Sequence, residues 1–291
     1  MEEIVNGIDV FREAFAPFAD SFIVIGGSAC RAVIPEGDIK PRKTIDIDMV
    51  LLPQKLSAGF VGTFWRFIKE GGYKFASRKN KDGDKRYVFY SFVNGMEGYP
   101  DQIELLSKPD ESIGTPAEHH IEYIDAGEEY SHLSAIILDR NYYDYLTVHF
   151  EVVGGIRYAS ADALVCLKAL AFLNLLSDKK AGKRVNADDI KKHRRDVIMA
   201  AAFLPAGAQY KVGESIRTTL DEFLSAMDDA SVRQSLKDSL EIDDVVLDGV
   251  LGVLREGFVL CEYSMHLISI WSLPTTGASS SSTRLKRRVR C

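Results

Sequence analysis

A short apolar segment with two carboxylates set into it constrains this chain more than any other feature. Residues 45–52 predict a strand in which only Asp46 and Asp48 are charged. Residues two apart in a strand point to the same side, about 6.6 Å apart at a rise of about 3.3 Å per residue. Two such carboxylates repel each other and lose hydration, so an exposed edge or a bound cation must offset the cost. The apolar neighbours favour a central strand, and oxygen-only ligands suit Mg²⁺, with Mn²⁺ as the alternative.

A second polar feature comes earlier in the chain. The apolar segment 21–25 predicts a buried strand, and Gly26, Gly27 and Ser28 follow it directly. Glycines let the backbone approach a phosphate closely, and the N–H groups at the start of a following helix favour anions, while the serine hydroxyl can bond a phosphate oxygen. A plain turn is the simpler explanation of these residues alone, because neither the dinucleotide nor the P-loop spacing is present.

Two further positions can complete a site. Glu104 is the acid within the predicted strand 102–107, where it is either a third metal ligand and base or a solvated edge residue, with Asp101 as its rival. Lys168 lies on the apolar face of the predicted helix 161–176. A lysine there either extends past the core to solvent or reaches a buried anion.

A basic run occupies residues 191–195, inside a helix predicted from Asn186 to Leu204. Lys192 and Asp196 have the i, i+4 spacing of an ion pair. The run is either a solvated helix face or, with the basic residues of 179–184, a basic lip for a triphosphate or RNA.

Composition limits the class of protein. The chain has 291 residues, no apolar run close to a membrane span, and an acidic start without a signal-peptide pattern. Its four cysteines are scattered, which favours reduced thiols in a cytoplasmic protein over a zinc site or disulfide framework. The net charge of −6 includes a strongly basic last segment, so the remaining body is acidic and does not favour non-specific nucleic-acid binding. No membrane partner is expected.

The pattern of elements divides the chain into three parts. Residues 1–158 predict an α/β region with a mixed sheet, residues 159–273 a helical domain, and residues 274–291 a basic, disordered tail. Within these parts, strands are predicted at 73–77, 85–93, 121–124, 133–138 and 145–153, and helices at 8–19, 29–34, 57–70, 214–227, 243–256 and 262–271.

With these residues in view, the chain resembles the nucleotidyltransferase superfamily of the DNA-polymerase-β type. That superfamily carries Gly-Gly-Ser, then a strand of the form acid–apolar–acid, then a third acid on a later strand. The matching positions, in that order, are Gly26-Gly27-Ser28, Asp46-Ile47-Asp48 and Glu104.

Within that superfamily the chain is most similar to the AbiEii-type toxins of abortive-infection, or type IV toxin–antitoxin, systems. The similarity covers roughly residues 20–204. It includes the basic-x-Thr-x step at 42–45, the helical Lys168 and the basic-to-Asp segment 191–197.

The resemblance implies an Mg²⁺-dependent enzyme that moves a nucleoside monophosphate from a triphosphate to a hydroxyl of an RNA 3′ end, a protein or a small molecule. In this scheme Asp46, Asp48 and Glu104 are the catalytic and metal-binding residues, and the residues that bind the nucleotide are Gly26, Gly27, Ser28, Lys168 and Lys192. An antitoxin partner is also expected. The alternatives are a catalytically inactive nucleotide- or partner-binding module of the same fold and, more weakly, a Rossmann dinucleotide binder.

Overall fold

The computed structural model describes residues 7–35, 44, 46–79, 85–107, 121–124, 133–137 and 139–261. Across these residues no helix combines the length and apolar character needed to cross a membrane. The predicted helix 262–271 and the tail 274–291 lie outside the described residues.

The first part of the chain alternates helices and strands, as predicted. Its elements are α1 (Ile8–Phe15), β1 (Phe22–Ile25), α2 (Gly26–Val33), β2 (Asp46–Leu51), α3 (Ala58–Glu70), β3 (Lys74–Lys79), β4 (Lys85–Val93), β5 (Gln102–Ser107), β6 (Ile121–Ile124), β7 (Leu133–Ile137), α4 (Arg140–Leu146), β8 (Phe150–Val153) and β9 (Ile156–Ala159).

The second part is mainly helical. Its elements are α5 (Ala161–Lys180), α6 (Ala187–Ala201), β10 (Tyr210–Val212), α7 (Glu214–Ala226), α8 (Ala230–Leu240), α9 (Asp244–Gly257) and β11 (Phe258–Leu260). Helix α5 packs against α6 and α7 within this part and against α2 and α4 of the first part. One continuous hydrophobic core therefore joins the sheet to the helices.

The strands of the first part form a mixed sheet, which confirms the α/β class. Its order is β3-β4-β5-β2-β1-β9-β8, with β7 paired to β5 and β6 paired to β7. Strand β2 runs antiparallel to β1 and parallel to β5. The acid-bearing strand is therefore central, as its apolar neighbours predicted.

The register of β1 and β2 places apolar residues on one face of the sheet and the acids on the other. Phe22 pairs with Leu51 and Ile25 pairs with Asp48, so β1 and β2 present alternate residues to each side. On the side of Phe22, an aromatic layer from α1 and α3 packs edge-on against it, with Phe11 at 5.8 Å and Phe15 at 6.0 Å between ring centroids. The acids of β2 point to the other side.

The prediction of one strand over 145–153 is wrong in its first half. Residues up to Leu146 form α4, where Asp139 accepts a hydrogen bond from the Asn141 backbone at 2.9 Å and so caps the helix. Tyrosines favour strands, but burial of Tyr142 and Tyr143 on one helix overrides that preference. Elements α8, β9, β10 and β11 were also not predicted, and helix 8–19 ends at Phe15, before a 3-10 turn that contains Pro17.

A buried carboxylate ties the start of α5 to α4 and to the segment before β8. Asp162 accepts hydrogen bonds from Tyr145 Oη and Ser160 Oγ, both at 2.6 Å, and its Oδ2 lies 2.5 Å from His149 Nδ1. Ser160 stands at the N-cap position as predicted, but its hydroxyl serves Asp162 and not a helix N–H.

The cysteines are only partly as expected. Cys30 and Cys166 are buried free thiols, which agrees with the prediction of reduced cysteines. Cys261 takes part in a disulfide, so that prediction is wrong at this residue.

Candidate functional site

Three carboxylates share one face of the central strands. Asp46 pairs with Gln102 and Asp48 pairs with Glu104 across the parallel β2–β5 ladder. Neighbouring positions in such a ladder point to the same side about 4.8 Å apart, so Asp46, Asp48 and Glu104 face together. All three are only partly buried, whereas Ile47 and Ile103 between them are fully buried.

Asp101, the rival third acid, lies elsewhere. Burial raises the pKa of Tyr73, and the neighbouring Asp101 carboxylate raises it further, which places Asp101 beside that ring. The acid that acts electrostatically on Asp48 is Glu104. The structure therefore brings Glu104, and not Asp101, to the two aspartates.

The neighbouring acids and lysines of the site all act electrostatically on Asp48. Burial raises the pKa of Asp48 to about 7, and the Glu104 and Asp46 carboxylates contribute to the rise, while Lys168 and Lys192 oppose it. Both lysines predicted to bind nucleotide are thus close enough to influence this carboxylate. The two lysines therefore offset only part of the rise that burial and the neighbouring acids cause.

Glu104 is held in place by two neighbours that sequence reasoning missed. Its Oε1 accepts from Gln102 Nε2 at 2.8 Å and from Ser91 Oγ at 3.0 Å. Ser91 stands directly across from Glu104 on β4. The sequence did contain a signal for Gln102. It lies two residues before Glu104, as Asp46 lies two residues before Asp48, so the side chains of each pair point to the same side of their strand. Two donors on one oxygen orient the carboxylate before any ligand arrives.

The glycines do not form a separate turn, since α2 begins at Gly26. Gly26 has φ of 75°, which favours glycine, and a Cβ at this position would overlap Oδ2 of Asp48. Gly27 is partly exposed in the same first helical turn. The first of the two glycines therefore serves to seat the Asp48 carboxylate against the start of α2.

Substitution of Gly26 by alanine tests this contact. We expect Gly26→Ala to lose about 1–3 kcal/mol through the left-handed backbone alone, and more through displacement of Asp48. Gly72→Ala is the matched control, because Gly72 has φ of 67° with nothing within 4 Å of an added Cβ. Urea unfolding measures both variants, and equal losses would mean that the Asp48 contact carries no energy.

Ser28 is placed differently from the prediction of a phosphate contact. Its side chain is fully buried, and its hydroxyl donates to the backbone carbonyl of Asp46. Thr44 accepts from the Asp46 backbone N–H at 3.5 Å. Ser28 therefore fixes the strand that carries the acids, and a contact of its hydroxyl with phosphate stays a prediction.

Lys168 reaches a buried anion, which was one of its two predicted alternatives. Its Nζ lies 3.0 Å from Oδ2 of Asp196, with 6% and 2% of the two side chains exposed. Burial lowers the pKa of Lys168, but the Cys30 thiol and the Asp196 carboxylate raise it on balance. Asp196 was read in the sequence as a partner of Lys192 on one helix. The buried run that follows Asp196 was the signal that it faces inward.

The rest of the basic run does not form one lip. Arg194 donates to Ser235 Oγ at 3.0 Å, and the Arg195 Nε donates to the Ser239 carbonyl at 3.4 Å, so both turn toward α8. Lys191 lies 3.5 Å from Asp188 on its own helix. Lys192 is the member of the run that acts on Asp48.

The carboxylate oxygens of these acids are the type of ligand that a hard divalent cation prefers. Within the described ranges no three His, Cys, Asp or Glu side chains are gathered as a ready-made metal cluster. Mg²⁺ is commonly bound by one or two carboxylates together with substrate phosphates, so Asp46 and Asp48 provide a sufficient donor set. Burial and the Glu104 carboxylate raise the pKa of Asp48, and a cation bound between the acids would lower it.

Comparisons with known proteins add no relative. No protein-family model, curated protein or solved structure matches this chain. The functional argument therefore depends on the motifs and on the geometry given above.

Proposed function

We propose that this protein is a metal-dependent nucleotidyltransferase. The observation that supports this proposal best is the meeting of the predicted residues at one place. Asp46, Asp48 and Glu104 face together, Gly26 contacts Asp48, and Lys168 and Lys192 act on the same carboxylate. These residues come from β2, β5, α2, α5 and α6, and the family resemblance assigns them a common role.

The proposed reaction moves a nucleoside monophosphate from a nucleoside triphosphate to a hydroxyl. The acceptor oxygen forms a bond to the α-phosphorus, the bond from that phosphorus to the bridging oxygen breaks, and pyrophosphate leaves. The acceptor proton passes to Glu104, whose Oε1 is already oriented by Gln102 and Ser91. Bound Mg²⁺, held by Asp46 and Asp48, would supply charge stabilisation for the phosphates.

The remaining residues of the site position the acids or neutralise the charge of the phosphates. Ser28 holds the backbone of Asp46, and Gly26 leaves room for the Asp48 carboxylate. Lys192 neutralises the phosphate tail, while Lys168 pairs with Asp196 at 3.0 Å. The nucleotide would lie between the sheet and the helical part, which we take as the nucleotidyltransferase domain (1–158) and the helical domain (159–273).

The class of acceptor and the cellular role follow only from the resemblance. We propose an RNA 3′ end, a protein or a small molecule as acceptor, and a toxin of the type IV kind with an antitoxin partner in the cytoplasm. An inactive module of the same fold is the alternative.

Transfer of label tests the enzyme proposal directly. Full-length protein with Mg²⁺, α-labelled triphosphates and RNA or protein acceptors is expected to yield labelled acceptor and pyrophosphate. Asp46→Asn combined with Asp48→Asn is expected to yield neither, because the cation loses both carboxylates.

The control is Asp101→Asn, which removes the acid immediately before β5, three positions from Glu104, and leaves the site intact. Its activity should equal that of the wild type. Triphosphate binding by calorimetry without product from any acceptor would favour the inactive module. Equal labelling by the double variant would contradict the assignment of the acids.

A further inference from the structure

Arg194 is a buried cation that the proposed site does not use. It lies on α6, and 7% of the residue is exposed. One terminal nitrogen donates to Ser235 Oγ at 3.0 Å, and its Nε is buried without a hydrogen-bond partner. Burial alone lowers the pKa of Arg194.

The burial of this guanidinium is not compensated. Among the residues that the structure describes, no carboxylate lies within ion-pair distance of Arg194, and no neighbouring charge offsets the effect of burial. Guanidinium groups are buried at considerable cost unless an anion pairs with them. By contrast, Arg233 and Arg217, on α8 and α7, each contact a carboxylate. An anion bound nearby would therefore offset the charge of Arg194.

A hollow lies next to this arginine. It has a volume of about 610 Å³ between α6 and α8 and is lined by Lys191, Ser231, Gln234, Ser235, Asp238 and Ser239. The three serines are spaced i, i+4, i+8, which places them on one face of α8. The wall of the hollow thus includes the hydroxyl to which Arg194 donates.

Ser235 connects the buried charge to the hollow. Its oxygen accepts from Arg194, and its own hydrogen has no acceptor among the described residues. A hydroxyl that accepts from a cation is a stronger donor, because its dipole is polarised toward the next acceptor. Lys191 adds an ammonium group with 63% of its side chain exposed.

The acids around the hollow are already engaged. Asp238 Oδ1 accepts from Gln234 Nε2 at 2.7 Å, and Asp188 pairs with Lys191 at 3.5 Å. Lys191 lines the hollow and shares its charge with Asp188, while Arg194 lies behind Ser235 and acts on a ligand through that hydroxyl.

We propose that the hollow between α6 and α8 binds a small tetrahedral oxyanion of the phosphate type, either inorganic phosphate or the phosphate group of an ester. The ligand accepts from the Ser235 hydroxyl and from Lys191, and its charge compensates Arg194. This site is distinct from the acid cluster, because Arg194 and Lys191 face α8 while Lys192 faces Asp48. The inference does not require the proposed transferase activity.

Binding of inorganic phosphate tests the site. Calorimetric titration of the full chain, in a chloride buffer of matched ionic strength without divalent cations, is expected to show one phosphate site. Arg194→Met is expected to weaken affinity at least tenfold, and Ser235→Ala to weaken it severalfold. A second titration with glycerol 3-phosphate distinguishes a free anion from an ester. Affinity equal to that for phosphate would show that the site accepts a phosphate ester.

Arg66→Met is the matched control, because Arg66 is an exposed arginine on α3, remote from α8. It is expected to bind phosphate as the wild type does. Arg194→Met should fold, since it removes a buried charge, and its melting temperature without phosphate should be no lower than that of the wild type. No phosphate binding by the wild type, or unchanged affinity in Arg194→Met, would overturn the proposal.

Discussion

Asp48→Asn is expected to make the folded protein more stable at pH 8 while it removes transferase activity. The pKa of Asp48 is raised from 3.8 to about 7, so the folded protein holds a proton there that the unfolded chain has already lost. Stability therefore falls as pH rises from about 4 to about 7, at up to about 1.4 kcal/mol per pH unit. Asparagine does not ionise, so the variant escapes this loss, which we put at on the order of 2–4 kcal/mol above pH 7.

Urea unfolding at pH 5 and pH 8 measures the effect. The advantage of Asp48→Asn over the wild type should be about 1 kcal/mol at pH 5 and larger at pH 8. Added Mg²⁺ should stabilise the wild type at pH 8 and leave the variant unchanged, because bound cation stabilises only the ionised carboxylate. Transfer activity should fall at least about 10³-fold through loss of a metal ligand.

Asp20→Asn is the matched control for this experiment, since Asp20 is an exposed aspartate in a pair at 3.9 Å from Lys55. Its stability should change little with pH relative to the wild type. If the free energy of unfolding changed with pH in the same way for Asp48→Asn and the wild type, the pKa of Asp48 would not differ between the folded and unfolded states. The electrostatic argument for the cation site would then fail.

Lys168→Met is expected to cause the largest loss of stability in the helical part. The substitution leaves the Asp196 carboxylate, 2% exposed, without its ammonium partner at 3.0 Å. Removal of one member of a buried pair commonly costs about 3–5 kcal/mol, because the other charge stays buried. The double variant Lys168→Met with Asp196→Leu should regain most of this loss, since two apolar side chains replace both charges.

An exposed pair on the same chain supplies the comparison. Lys183 lies 2.7 Å from Asp178 at the end of α5, and both side chains are largely solvated. Lys183→Met should cost less than about 1 kcal/mol in the same unfolding assay. Equal losses from Lys183→Met and Lys168→Met would show that burial does not strengthen the inner pair.

The parts of the fold that local pattern governs could be predicted from the sequence. Strand β5 has the predicted bounds, and β1 and β2 differ from theirs by a residue or so at the ends. In both strands polar and apolar residues alternate, and the apolar ones must face the core. The alternation therefore predicted that Asp46, Asp48 and Glu104 point to the same side of the sheet. The parallel register that brings Glu104 beside Asp48 was not, because no local pattern sets the order of strands.

Other features depend on long-range contacts. Ser28 was expected at a phosphate, yet its hydroxyl is used by a carbonyl 18 positions away in the chain. Asp196 was assigned to the nearest lysine on its helix, although the partner at 3.0 Å lies on α5. Residues 140–146 favour strands by composition but form a helix, because their tyrosines pack into a core contributed by distant segments.

The contacts of Asp162 also bear on how the acids and the lysines are held relative to each other. This carboxylate receives Tyr145 from α4, His149 from the segment before β8 and Ser160 from the start of α5. The acids belong to the sheet, while Lys168 and Lys192 belong to the helices, and Asp162 fastens the two bodies together at one corner. Because one hydrophobic core also runs from the sheet into the helices, packing and this carboxylate together fix the distance between the acids and the lysines.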